Sequence, residues 1–190
     1  ILEYKIKARL SQYQAIDEAI RTAQFIRNKC IRHWIDTQSV GKYDMSKLCA
    51  DLAKEFPFAN SLNSMARQAA AERAWQSVAR FYANCKKKVL GKKGYPKFKK
   101  NVRSVEYKTS GWKLSEDRKR ITFTDGCGIG RLKLVGSRDL NFFPVDKVKR
   151  VRLVKRADGY YCQLSIDSNR NVSHELQNKI SGIDMNLENF

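Results

Sequence analysis

No run of about eighteen apolar residues occurs anywhere in this chain, so no membrane-crossing helix is expected. No apolar stretch opens it either, so no signal peptide is expected. The five cysteines, Cys30, Cys49, Cys85, Cys127 and Cys162, are odd in number and form no CxxC pair. That pattern excludes a zinc ribbon or a disulfide framework in this stretch and fits reduced core thiols in a cytosolic protein. There is no glycine-rich phosphate loop and no Ser/His/Asp or Cys/His arrangement. His33 and His174 are solitary and read as ordinary histidines rather than ligands. Acid is scarce: 19 Asp and Glu stand against 38 Lys and Arg, a formal net charge of +19. A protein so far from neutrality repels itself unless a polyanion compensates. Nucleic acid is the first candidate polyanion and a membrane surface the weaker one.

What is present supports a folded protein. The 190 residues allow one or two domains, and 42% hydrophobic content is enough for a core. Residues 2–10, LEYKIKARL, alternate and predict a strand. Tyr13, Ile16, Ile20, Ala23, Ile26, Cys30 and Trp34 then recur at three or four, the apolar face of a long helix. Glu18, Arg21, Lys29, Arg32 and Asp36 mark its other face. MSKLCADLAKEF predicts a second helix ended by Pro57. Asn60-Ser61 predicts the cap of a third, with Leu62, Met65, Ala69, Ala71, Trp75, Val78, Tyr82 and Cys85 on its buried side. Arg67, Gln68, Arg73 and Arg80 are expected to lie away from that core. Beyond residue 103 the period becomes two, and VEYK, RITFTD, RLKLV, VKRVRLVKR and YYCQLSID predict strands. Asp158-Gly159 predicts a tight hairpin between the last two. Residues 168–180 read as a polar linker.

Four features bear on chemistry. The tract 86–103, KKKVLGKKGYPKFKKNVR, holds nine basic residues and no acid. Its cations Lys86, Lys87, Lys88, Lys92, Lys93, Lys97, Lys99, Lys100 and Arg103 suit phosphates, and Tyr95 and Phe98 suit base stacking. The strand KVKRVRLVKR, 147–156, holds six more basic residues. Val151 and Leu153 fall on one face; Arg150 and Arg152 share the other with Val148 and Val154. With Lys147 and Lys149 they suggest the basic outer surface of an oligonucleotide-binding barrel. The third helix carries Asn63, Ser64, Arg67 and Gln68, of which Arg and Gln are side chains that read purine edges. Finally, in SGIDMNLENF an apolar pair leads into Asp184, as a strand would deliver a carboxylate to a divalent metal.

In this order the pieces resemble the TnpB (OrfB) family, transposon-encoded RNA-guided nucleases related to type V CRISPR effectors. IKARLSQYQAIDEAIRTAQFIRNKCIRHWI resembles that family's opening strand and helix. GYPKFKK is similar to its Pro-Arg/Lys-Phe-Lys signature, and GWKLSEDRKRITF and VKRVRLVKRADGYYCQLSID to its following strands. GIDMNLENF is similar to the Gly-Ile-Asp-x-Gly-x-x-Asn-Phe stretch that begins the RuvC nuclease domain.

The resemblance implies an α+β architecture. Residues 1–10 and 95–168 would form a wedge domain, an OB-like β-barrel, with a helical recognition bundle, 11–94, inserted into it. Residues 169–180 would be a linker and 181–190 the first strand of an RNase H-like RuvC domain. Asp184 would be a catalytic acid and a Mg²⁺ ligand. Asn63, Ser64, Arg67 and Gln68 would read a short DNA motif beside the target. Guide RNA and target double-stranded DNA would be the partners, with no membrane involved, in the prokaryotic cytosol. The family has Gly where this chain has Asn186, and Asn tolerates left-handed backbone angles well enough to keep the turn. The family's further Glu and Asp, and its zinc ribbon, do not occur in these residues. The stretch is therefore expected to bind nucleic acid and not to cut it unaided. The alternatives are a nuclease-inactive, guided DNA-binding repressor, a compact type V CRISPR effector, or an RNA-binding protein of ribosomal type.

Overall fold

Leu2, Tyr4 and Ile6 point into the core from the first strand, β1 (Leu2–Lys7), while Lys5 and Lys7 face water. The computed structural model describes residues 1–37 and 39–167. Four helices follow β1: α1 (Leu10–Asp36), α2 (Lys42–Glu55), a single turn α3 (Pro57–Ser61) and α4 (Ser64–Lys86). Six strands come next: β2 (Ser104–Tyr107), β3 (Trp112–Leu114), β4 (Arg120–Phe123), β5 (Arg131–Val135), β6 (Val148–Arg156) and β7 (Gly159–Ile166). The protein is thus mixed α+β, its seven strands forming one antiparallel sheet in the order β2-β6-β7-β1-β5-β4-β3.

β1 is the central strand of that sheet. It pairs with β7 through Tyr4 and Cys162, and with β5 through Lys5 and Val135. The chain therefore leaves the sheet after seven residues, builds all four helices, and returns to complete both flanks. Gln12 ties the start of α1 back to the sheet: its buried Nε2 donates to the carbonyls of Ile129 at 2.7 Å and Arg131 at 3.0 Å. One apolar core runs from Ile16, Ile26 and Ala74 of the helices into Val105, Leu153 and Leu164 of the sheet.

The sheet is strongly curled. Its edge strands, β2 and β3, are joined by residues 108–111 alone. Those four residues span at most about 18 Å, whereas a flat seven-stranded sheet would hold its edges about 29 Å apart. Curling brings the Tyr107 ring of β2 to 4.8 Å from that of Phe123 in β4, and Tyr107 donates to the Asp125 carboxylate.

Several expectations are corrected. The cap of α4 is Asn63, not Asn60-Ser61, and its side chain accepts from the Met65 amide at 2.8 Å. Pro57 starts the turn α3 as well as ending α2, because a first helical position needs no N–H. Ala69, Ala71 and Val78 are buried as expected, but the buried stripe of α4 is largely alanine, with Ala66, Ala70 and Ala74 completing it. Small residues let its neighbours approach closely, so Met65, Trp75 and Cys85 sit at the flanks and Tyr82 is 49% exposed. Arg73, expected to lie away from the core, is half-buried between α4 and β2. Val148 does not share a face with Arg150. A bulge between them inserts one extra residue, so Val148 turns inward with Val151 and Leu153. β3 is too short to show a period and exists through its pairing with β4. The turn of the last hairpin is Ala157-Asp158, with Gly159 following at a φ of +137°.

Gly111 carries the first prediction. Its φ is +96°, and a Cβ there would meet Asn63 Oδ1 at 2.7 Å. Gly111→Ala is expected to displace the α4 cap and strain the turn, lowering unfolding free energy by about 2 kcal/mol in denaturant titration. An unchanged midpoint would refute this.

Candidate nucleic-acid interface

Between α4 and β2 the tract 87–103 has no regular structure after its first residues. Gly91 and Gly94 take φ values of +77° and +78°. Pro96 is buried, whereas residues 91–95 and 97–100 are exposed. The Tyr95 ring packs at 5.4 Å from Trp34 and 5.3 Å from Phe81. Three side chains on one stretch of α1 then hold the backbone. Arg27 donates to the Lys97 carbonyl at 3.2 Å. Asn28 donates to the Lys99 carbonyl at 2.8 Å and accepts from the Lys99 amide at 2.9 Å. Gln24 accepts from the Val102 amide at 2.9 Å. The GYPKFKK segment is a strap, pinned through its backbone so that its lysines stay free.

Under the strap lies a cleft of about 410 Å³. Arg27 of α1, Arg73 and Arg80 of α4, Lys99 of the strap and Arg103 just after it line it, and no carboxylate does. Arg73 and Arg80 are seven residues apart and so share one helical face. Among the described residues, none of these five cations forms an ion pair. Burial, and next the Arg73 charge, pull the Arg27 guanidinium below its ordinary range. Burial and then Arg152 do the same to Arg73. An arginine in such a place does not give up its proton.

The second basic tract behaves differently. Glu106, 6% exposed on β2, receives Arg150 Nη1 at 2.6 Å and Arg152 Nη2 at 2.6 Å. Arg150 also reaches Glu72 of α4 at 3.1 Å, and Lys108 reaches the same oxygen at 3.2 Å. Burial pushes the Glu106 carboxyl up, but hydrogen bonds from Arg152 and Arg150 outweigh it and hold it low. Arg150 is thus committed to joining α4 to the sheet, and Arg152 to joining β6 to β2 within it. Lys147 and Lys149 are exposed at the far end of β6. Arg103, whose carbonyl accepts from Lys155, is at the near end, roughly 25 Å away along the strand.

The residues expected to read DNA also have internal work. Asn63 caps α4, and its Nδ2 donates to Thr124 at 3.3 Å. Its amide donates to Asp125 at 2.6 Å. Arg67 Nη1 donates to the carbonyls of Leu62 at 2.9 Å and of Ala59 and Asn60 at 3.1 Å, closing the end of α3. Ser64 is exposed and Gln68 half-buried. Lys86, the last residue of α4, and Lys87, Lys88, Lys92 and Lys93 just beyond it are exposed around the start of the tract. Asp184, the linker 169–180 and the expected RuvC strand 181–190 lie outside the described residues. Among the described residues no group of three His, Cys, Asp or Glu side chains is placed to hold a metal ion, and no helix is long and apolar enough to cross a membrane.

Sequence reasoning found Lys99 and Arg103 and missed Arg27, Arg73 and Arg80 as their partners. The seven-residue spacing of Arg73 and Arg80 was a usable signal; nothing local marked Arg27. The class defined by fold and site is an α+β protein whose inserted helices and strap enclose an unpaired cationic cleft. No protein-family model matches the chain, and no curated protein matches it.

Proposed function

We propose that this chain is the N-terminal, guide-RNA- and target-DNA-binding part of a TnpB-like RNA-guided DNA endonuclease of an insertion sequence. The observation that carries the reading is the cleft, where five cations meet without a carboxylate between the inserted helices and the GYPKFKK strap. A cleft of one sign gathers phosphates and supplies affinity without sequence readout. The strand–helices–strands order and the curl that brings β2 toward β3 support an OB-like wedge barrel with a helical insertion. In such a protein recognition is delegated: guide RNA pairs with the target strand while the protein holds shape and backbone. Asp184 would be the first Mg²⁺-ligating acid of a RuvC site, with the remaining acids and a zinc ribbon supplied elsewhere in the full protein. Cleavage belongs to that complete site, and the working compartment would be the prokaryotic cytosol.

The test is RNA binding as a function of salt. Five phosphate contacts predict roughly a hundredfold loss of affinity between 50 and 200 mM salt, from a slope of about −0.7 per contact on single strands. Replacing Lys97, Lys99 and Lys100 by Ala is expected to weaken binding and flatten that slope for every RNA sequence tried. Salt-independent binding, or a triple variant that binds like wild type, would sink the reading.

A further inference from the structure

The strap has two flanks. One faces the cationic cleft. The other faces a groove of about 620 Å³ against α1, with Phe25 as its floor and Phe98 as its wall. Phe25 is held in place, since the rings of Phe56 and Phe58 meet it edge-on, each at 5.1 Å. Phe98 is the opposite case: 47% exposed, with no ring partner among the described residues. Its exposure is imposed by its neighbours. Arg27 and Asn28 fix the backbone at Lys97 and Lys99, so the intervening side chain is presented outward at a set place. A large apolar ring kept in water by a pinned backbone calls for an occupant.

Charge says what kind. Lys29, Lys99 and Lys100 line the groove and no carboxylate does. Arg21 and Arg32 at its rim are already paired, with Glu18 and Asp36. Lys99 lines both the groove and the cleft, so one side chain bridges them. An apolar ligand with no charge would gain nothing from the cations, and a bare phosphate nothing from the rings. A nucleotide satisfies both.

We infer that this groove takes one unpaired RNA base, stacked on Phe98 over Phe25, while the adjoining backbone phosphates sit in the cleft beneath the strap. The inference rests on the nucleic-acid reading above and narrows it: this face holds a single-stranded, unstacked stretch of RNA, not a duplex. Stacking on a π-face is tolerant of base identity, and single-stranded RNA is the form whose bases can splay out onto aromatic rings.

Fluorescence of a single-stranded RNA carrying 2-aminopurine tests this, beside a duplex RNA, a DNA oligonucleotide of the same sequence, and polyglutamate. Wild type is expected to quench the probe. Phe98→Ala is expected to bind it about tenfold more weakly and lose the quenching, with duplex affinity unchanged, while Phe98→Trp keeps both. If wild type binds RNA and Phe98→Ala binds the single strand equally well, the groove is not a base site, though the phosphate cleft stands. Equal losses on single strand and duplex would make Phe98 a prop for the strap and overturn the inference. Tighter, Phe98-dependent binding of the DNA oligonucleotide or of polyglutamate would reassign the groove to that ligand. No binding to any RNA would remove the nucleic-acid reading and this inference together.

Discussion

Replacing Arg73 and Arg80 together by glutamine is expected to cut RNA affinity by about two orders of magnitude while leaving the fold as stable as before or more so. Each guanidinium on a phosphate is a charge-assisted hydrogen bond, which contributes about 1.5–3 kcal/mol net. The salt slope should also become shallower by roughly 1.4, two contacts' worth on a single strand. Stability moves the other way because neither side chain answers a carboxylate, and Arg73 is half-buried beside Arg27 and Arg152. Among the described residues its one side-chain hydrogen-bond partner is Ser104, at 3.4 Å, a bond glutamine can partly replace. Thermal melts and a filter-binding titration at two salt concentrations decide the matter. A lower melting temperature with unchanged affinity would show that these arginines serve the fold.

Glu106→Gln is expected to act in the opposite sense, costing about 1.5–3 kcal/mol of stability, the scale of hydrogen bonds to a charged group, because Arg150 and Arg152 are each more than a third exposed and stay partly solvated. Arg150 and Arg152 would then face each other across a neutral amide, with Glu72 holding only one of them. The effect is pH-dependent, and its direction follows from the lowered Glu106 pKa. Glu106 has an unfolded value near 4.5 and a lower folded one, so its stabilising contribution is complete above about pH 4.5. That contribution fades as pH falls through the folded value. The difference between wild type and Glu106→Gln in urea titrations should therefore be largest at neutral pH and shrink toward pH 3. Asp125 titrates with the opposite sign: burial raises it more than the bonds from Tyr107 and Asn63 lower it. Taking the difference between the two proteins cancels that term. A gap that stays constant from pH 7 to pH 3 would show that the clamp is not ionic.

The two arginine groups show how far sequence reasoning reached. Residues 147–156 and 86–103 looked alike on paper, as basic tracts suited to phosphate. Glu106 lies in the strand paired with β6, and the register sets it against Arg152. Nothing in either tract announces that register, so their difference in ion pairing was invisible. Asn63 and Arg67 carried the residue types of DNA readers, yet one caps a helix and the other closes a turn. The Val148 error has a similar origin. A bulge shifts every side chain beyond it to the other face, and alternation read along the strand assumes that none occurs.

The sequence by itself determined the elements and their order: a strand, helices of period 3.6, strands of period two, and a surplus of cations, which is the basis for proposing an anionic partner. These are local or summed properties, set by backbone sterics and by charge count. Only the tertiary structure decided which cations are left for that partner. Arg27, Arg73, Arg80, Lys99 and Arg103 come from two helices and a strap, and Glu106 and Glu72 fell within reach of Arg150 instead. Whether a charge is free or answered depends on ångström separations between residues far apart in the chain, and packing alone sets those distances.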